Sequence, residues 1–249
     1  MNENVWEVVL DPQESKTVCM IEMTDTNLML SNVVFGDVWL CSGQSNMEMN
    51  MDHIENSAEE IESSAIFGDR IRFTTIAHQW LNVSDDNHNV DLKLAWTTAD
   101  DSASLRFMSA VCFLFAREIA DKVNVPLGMV HSSWGGTPIE AWSDKAALDR
   151  CEVPAHWGGP DHMQTSNSYL WNGMINPIKR TSVKGFLWYQ GEANTNRNRD
   201  LYNCTFPVLI DDWRNQFSAN SGTSKTGKNK RVGNAYIISM NMNSPIPYI

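Results

Sequence analysis

Three short apolar runs punctuate the chain, and each breaks off into glycine and small polar residues. Val33–Leu40 runs into Ser42-Gly43-Gln44-Ser45, Pro126–Val130 into His131-Ser132-Ser133-Trp134-Gly135-Gly136-Thr137, and Val183–Tyr189 into Gln190-Gly191-Glu192-Ala193-Asn194. Continuous apolar runs of this length suit strands covered on both faces, as in a parallel sheet. Helical patterns lie between them. Ser104–Val123 places Phe107, Met108, Val111, Leu114, Phe115 and Ile119 at three- and four-residue steps. Asn46–Ile61, Thr165–Ile175 and Asp200–Phe217 are further predicted helices, the last bent or started at Pro207. Ala235–Met240 is one more strand-like run, and the basic, Gly/Ser/Lys-rich Ser218–Asn234 before it reads as an exposed loop.

The first 32 residues follow a different pattern. Val5–Leu10, Thr17–Met23 and Asn27–Leu30 are short β-like pieces separated by Asp-Pro and Asp-Thr-Asn turn signals. They predict a partial β-rich appendage at residues 1–32, ahead of a main domain at 33–249. Strands alternating with helices predict an α/β fold, three-layer α/β/α around a mostly parallel sheet. In such sheets ligands sit at the carboxyl ends of the strands. The three glycine-and-polar loops should therefore gather on one edge.

Composition narrows the partners. In 249 residues, 42% are apolar and ten are Trp, enough for a sizeable core. The 30 acidic against 19 basic residues give a net charge of −11, which argues against nucleic acid as the main partner. There is no long apolar run to span a membrane, and Met1-Asn2-Glu3-Asn4 lacks the basic start and apolar core of a signal peptide. The five cysteines (Cys19, Cys41, Cys112, Cys151, Cys204) show no metal spacing and leave open reduced thiols or one or two disulfides. No metal site and no cofactor is expected, and no Gly-rich loop carries the Lys of a phosphate-binding P-loop. The sequons Asn82-Val83-Ser84 and Asn203-Cys204-Thr205 are no more than chance supplies in an Asn-rich chain.

The loops carry the candidate chemistry. A serine esterase needs an exposed Ser, a base, and donors for an oxyanion. Ser45 lies just past a strand, after a glycine and at the start of a predicted helix whose free N–H groups favour negative charge. The ordinary reading of such a Ser is a helix N-cap, and Ser42 competes for either role. Gly135 and Gly136 leave the backbone bare for a close approach, or form a plain turn. Asn194 offers a side-chain amide, or is a turn residue. Taken together on one sheet edge, the three loops favour a site.

The stretches GDVWLCSGQSNMEM (Gly36–Met49), SSWGGTPIEAW (Ser132–Trp142), WYQGEAN (Trp188–Asn194) and LYNCTFPVLIDDWR (Leu201–Arg214) resemble the sialate O-acetylesterases, a branch of the SGNH (GDSL-like) hydrolases. The likeness runs with gaps from about Asp37 to Arg214. It implies a flavodoxin-like domain that removes O-acetyl groups from sialic acids through an acyl-enzyme, with Ser45 as nucleophile. Ser45 N–H, a Gly N–H (Gly136 rather than Gly135) and the Asn194 amide would form the oxyanion hole. Gln44, Trp134, Gly135, Gln190 and Glu192 would meet the substrate, an acetylated sialic acid or similar acetylated sugar. The resemblance also implies a lysosomal or extracellular glycoprotein, although the missing signal peptide leaves a cytosolic product open.

One part of the family pattern is absent. The family takes its base from a late Asp-x-x-His motif, and no His follows His162 here. Asp85-Asp86-Asn87-His88 has that spacing but lies between the first and second blocks, so it reads as coincidence. His131, His156 and His162 are weak alternatives. The chain is therefore expected to be shortened at both ends relative to the family and catalytically weak by itself. Two other readings remain. One is a non-catalytic sugar-binding or regulatory form, with Trp134, Trp142, Trp171 and Trp188 lining a pocket or, for at least half of them, filling the core. The other is an esterase for a different acetylated carbohydrate such as acetyl-xylan.

Overall fold

A computed structural model describes residues 13–15, 17–22, 29–85, 89–220 and 236–239. Its strands are β1 (Val18–Glu22), β2 (Met29–Val34), β3 (Asp37–Gly43), β4 (Ile71–Ile76), β5 (Leu92–Thr98), β6 (Leu127–Ser133), β7 (Gly185–Tyr189) and β8 (Tyr236–Ser239). Its α-helices are α1 (Ser45–Glu48), α2 (Ser57–Ser64), α3 (Ser102–Leu105), α4 (Ala110–Ala120), α5 (Lys145–Arg150) and α6 (Tyr202–Asn220). β1 and β2 pair as an antiparallel hairpin, and the other six strands form one sheet in the order β5-β4-β6-β3-β7-β8. Every neighbouring pair in it is parallel except β4 with β5.

The apolar runs become strands because each of their faces meets its own core. Trp39 and Cys41 of β3 join Phe113 and Ala116 of α4 in one cluster. Leu40, between them, joins Trp188, Leu209 and Trp213 in the other, against α6. Alternate side chains of one strand thus feed opposite layers. Trp142, Trp171 and Trp188 are buried in the second cluster, so they are core residues, whereas Trp134 is only partly buried beside it. The mixed α/β, mostly parallel architecture is the one expected.

β3 is central, and its register places the three loops. Gly43 lies level with Ser133 of β6 and with Tyr189 of β7, so all three chains leave the sheet at one height. Gly43 has φ +144°, and a Cβ there would stand 2.1 Å from the Tyr189 carbonyl oxygen. No residue with a side chain fits that approach. An apolar cleft of about 440 Å³, lined among others by Leu30, Val34, Trp96 and Leu127, lies at the opposite, amino ends of the strands.

Several elements differ from the sequence pattern. β4 and β5 were not expected, and the sheet strand begins at Asp37, after a hairpin strand that runs on to Val34. Asn46–Ile61 is not one helix. After α1 the backbone opens, and Met49 C=O accepts from Ala110 N–H (2.8 Å) while Met51 N–H donates to Met108 C=O (2.9 Å). Tertiary partners replace the i→i−4 bonds there, and Asn56, with φ 55°, separates this segment from α2. Ser104–Val123 breaks too. The Ser109 hydroxyl caps α4 by accepting from Cys112 N–H (3.2 Å) and itself donates to Met47 C=O (2.6 Å). This break leaves Phe107 49% exposed, off the apolar face. Thr165–Ile175 is helical only in short, irregular turns, and α6 carries Pro207 inside it. The expected loop Ser218–Asn234 is helical over residues 218–220, the end of α6, and its remainder, with Val5–Leu10, His88 and the end of the chain, lies outside the described residues.

Two disulfides settle the cysteine question. Cys41–Cys112 ties β3 to α4, and Cys151–Cys204 ties the end of α5 to α6, leaving Cys19 as the free thiol. The second closes a sequence separation of 53 residues. Replacing both Cys151 and Cys204 with Ala is expected to lower the unfolding free energy by roughly 4 kcal/mol through the freed chain entropy. Urea titration of the oxidised wild type beside the variant measures it, and equal midpoints would refute it.

Candidate active site

Ser45 is exposed at the first position of α1. The cap position falls to Gln44, and no side-chain capping bond forms at this helix start. Ser42 is fully buried within β3, and its hydroxyl has no partner. Of the two hydroxyls, only that of Ser45 stands where a substrate can reach it.

Gln44 turns inward instead and joins the first loop to the third. Its Oε1 accepts from Gln190 Nε2 (3.1 Å), Gly191 N–H (3.3 Å) and Ala193 N–H (3.1 Å). Gln190 also donates to Thr137 C=O (3.1 Å) and Asn194 Oδ1 (2.8 Å), which brings in the second loop. Tyr202 donates its hydroxyl to Gln190 Oε1 (3.0 Å), and burial pushes its pKa up to about 12. Gln44 and Gln190, expected to touch substrate, thus have their amides engaged in holding the loops together, though Gln44 also lines the cleft described below.

Asn194 is equally committed. Its Oδ1 accepts from Ile139 N–H (2.9 Å) as well as Gln190, and its Nδ2 donates to Glu140 Oε2 (2.9 Å) and Arg197 C=O (3.3 Å). The two glycines of the second loop differ. Gly135 donates its N–H to Glu48 Oε2 (2.6 Å). Gly136 has φ +73° with open space on its Cβ side, and its N–H has no partner among the described residues.

Glu48 anchors this loop from α1, three residues after Ser45. Its Oε1 lies 2.9 Å from His78 Nε2, and the His78 ring stacks on Trp134 with centroids 4.1 Å apart. Burial would raise the Glu48 pKa. The hydrogen bonds from His78 and Gly135, with the nearby His78 and His131 charges, outweigh it and hold the carboxyl below its usual value.

An open cleft of about 580 Å³ is lined by residues of all three loops, among them Gln44, Gly136 and Glu192. Glu192 accepts from Asn46 Nδ2 through one carboxylate oxygen, while the other is buried without a partner. The far wall holds His156, His162 and Arg197. Arg197 donates to Thr165 C=O (3.0 Å) and contacts His156 Nε2. The His156 pKa is lowered by burial and then by the Arg197 charge.

The candidate bases separate. His131 is 3% exposed, its Nε2 lying 2.6 Å from Ser133 Oγ and its Nδ1 3.4 Å from Thr75 Oγ1, and burial lowers its pKa to about 4. It is a neutral structural imidazole at ordinary pH. His156 and His162 do reach the cleft. His88 lies outside the described residues. Among the described residues no cluster of three His, Cys, Asp or Glu could hold a metal ion, and no helix is long and apolar enough to cross a membrane.

Residues 35–223 match the family model of the carbohydrate esterases described as sialic acid-specific acetylesterase. The chain is 41% identical to the human sialate O-acetylesterase over 232 residues, covering 88% of this chain and 44% of that protein. It is 38% identical to the Rattus norvegicus sialate O-acetylesterase over 252 residues, 86% of this chain and 46% of that one.

The chain belongs to the sialic acid-specific acetylesterase family of carbohydrate esterases. It spans about half the length of the curated relatives it matches. The crystal structure of a carbohydrate acetylesterase from Xanthomonas citri aligns with a TM-score of 0.73 at 28% identity, over 86% of this chain and 46% of that one. This acetylesterase-family domain has functional-looking residues that the sequence pattern did not single out: Asn46, Glu48, His78, Glu140 and Arg197. Asn46 and Glu48 could have been noticed as near neighbours of Ser45 on one helix. Nothing local marks His78, Glu140 or Arg197.

A buried and a half-buried titrating group shape the pH response of the domain. His131 has a folded pKa of about 4, below its ordinary 6.5, so on acidification the unfolded state takes up the proton first. The fold then loses up to about 3 kcal/mol as pH falls through that window. Asp212 works the other way. Burial and then Asp144 raise it from 3.8 to about 6, so the folded state takes the proton first and gains stability as pH falls through 6. Asp212→Asn is therefore expected to lose stability more steeply than wild type between pH 6.5 and 4, and His131→Gln less steeply. Denaturant midpoints across that range test both, and parallel curves would refute the assignment.

Proposed function

We propose that this chain carries the nucleophile and oxyanion half of a serine esterase that removes O-acetyl groups from sialic acids. One observation supports the reading most. The exposed Ser45 shares the carboxyl edge of the sheet with the unpartnered Gly136 N–H, while Ser42 is buried in β3 and Gly135 N–H is committed to Glu48. In the proposed reaction Ser45 Oγ attacks the acetyl carbonyl, and the sugar oxygen leaves with a proton from the base. Water then releases acetate from the acyl-serine. The negative charge that develops on the carbonyl oxygen would be met by the N–H groups of Ser45 and Gly136. Asn194 would join by releasing its longer bond to Arg197 C=O. Each such donor typically supplies ~3–4 kcal/mol.

None of the described imidazoles hydrogen-bonds Ser45, and no His follows His162. We assign the base to a segment equivalent to the family's late Asp-x-x-His motif, so this chain by itself would be a slow catalyst. The two disulfides support an oxidising compartment, lysosomal or extracellular, and Asn82-Val83-Ser84 lies on exposed backbone where a glycan could be added.

Hydrolysis of a chromogenic acetyl ester tests the reading. The 249-residue chain is expected to be weak, to gain roughly a thousandfold or more when the family's C-terminal segment is supplied, and to lose that gain in Ser45→Ala. A gain that survives Ser45→Ala would sink the nucleophile assignment. Robust turnover by the chain alone would sink the missing base. A folded chain with no gain from the segment would leave the sugar-binding reading in its place.

A further inference from the structure

The cleft has two chemically different walls. One carries Glu192, tied to Asn46 of α1. Across the cleft stands Arg197, a cation without a carboxylate partner among the described residues. Its guanidinium is held only by neutral groups, the Thr165 carbonyl at 3.0 Å and the His156 ring. Since a guanidinium cannot accept, His156 Nε2 must be the acceptor, and the ring stays neutral. The Arg197 charge is therefore fixed in direction but not cancelled.

This is an unusual economy for a partly buried Arg. Such groups are ordinarily matched by a carboxylate, because the planar fork fits one through paired N–H···O bonds. Burial alone already lowers the pKa of Arg197, the direction that marks a charge short of compensation. The nearest acid, Glu140, is fully buried and occupied by Asn194 Nδ2 (2.9 Å) and Asn198 Nδ2 (2.8 Å). It leaves the cleft side of Arg197 open.

We infer that Arg197, braced by Thr165 and His156, is the subsite for the carboxylate of an acidic acetylated sugar. The inference rests on the esterase reading of this cleft and deepens it. It selects a sugar acid over a neutral acetylated sugar, which has nothing to offer Arg197. Arg197 positions the sugar and takes no part in the acyl transfer.

Binding tests this without requiring turnover. N-acetylneuraminic acid and its carboxyl methyl ester, titrated into the wild-type chain by NMR, differ only in that charge. The acid is expected to bind about tenfold or more tightly. In Arg197→Gln the ratio should collapse toward one, and Arg197→Lys should recover part of it, with thermal unfolding reporting that each variant is folded. Equal binding of acid and ester by the wild type, which needs no variant, overturns the inference. So does a preference that persists in Arg197→Gln. If the preference is absent while Ser45-dependent hydrolysis remains, the carboxylate subsite falls and the esterase stands. A folded wild type that binds neither sugar, and hydrolyses no acetyl ester even with the family's C-terminal segment supplied, overturns both.

Discussion

The contact between Gly43 and the Tyr189 carbonyl sets the position of everything at the carboxyl edge of the sheet. With a Cβ excluded from that point, β3 and β7 close to full register up to their last residues, and Gln44 N–H donates to the same carbonyl at 3.0 Å. The chain then has to turn sharply out of the sheet. Ser45 therefore arrives exposed at the start of a helical turn, beside the ends of β6 and β7. A looser approach would leave Gln44 short of the third loop, and the three loops would no longer share an edge.

A buried amide cluster converts that register into a rigid site. Gln44, Gln190 and Asn194 are each at most 5% exposed, and between them they hold backbone groups of the second and third loops. Buried polar groups are costly when unpaired and ordering when fully paired. Here the pairing is nearly complete, and Glu140 extends it to Asn198. Residues expected to touch substrate have become the frame that aims the backbone. The groups outside that frame are Ser45, exposed at the turn, and Gly136 and Arg197, which line the cleft.

The two faces of the sheet serve this edge differently. The α6 face is stiffened by aromatic packing, with Trp213 in edge contact with Phe186 and Trp188 at centroid distances of 5.3 and 5.6 Å. The α4 face is fastened by Cys41–Cys112, directly below the turn to Ser45. On the open side, the pair of Glu48 and His78 holds the second loop through Gly135 N–H, the stack of His78 on Trp134, and the approach of His78 Nε2 to Ser133 C=O (3.1 Å).

The sequence by itself determined the α/β class, the runs that became β3, β6 and β7, the loops that follow them, and Ser45 as the candidate nucleophile. Those features are local: a continuous apolar run and a glycine before a helix start act over a few residues. Tertiary structure decided the rest. The predicted helix at Asn46–Ile61 opened because Met49 and Met51 found backbone partners near residues 108–110, and the Ser104–Val123 helix broke where Ser109 turned to Met47. The disulfide pairing, the commitment of Gly135 to Glu48, and the bond of Asn46 to Glu192 join residues 53 to 146 positions apart. Periodicity carries no record of such pairings, because each depends on the fold having first brought two distant segments to the same edge.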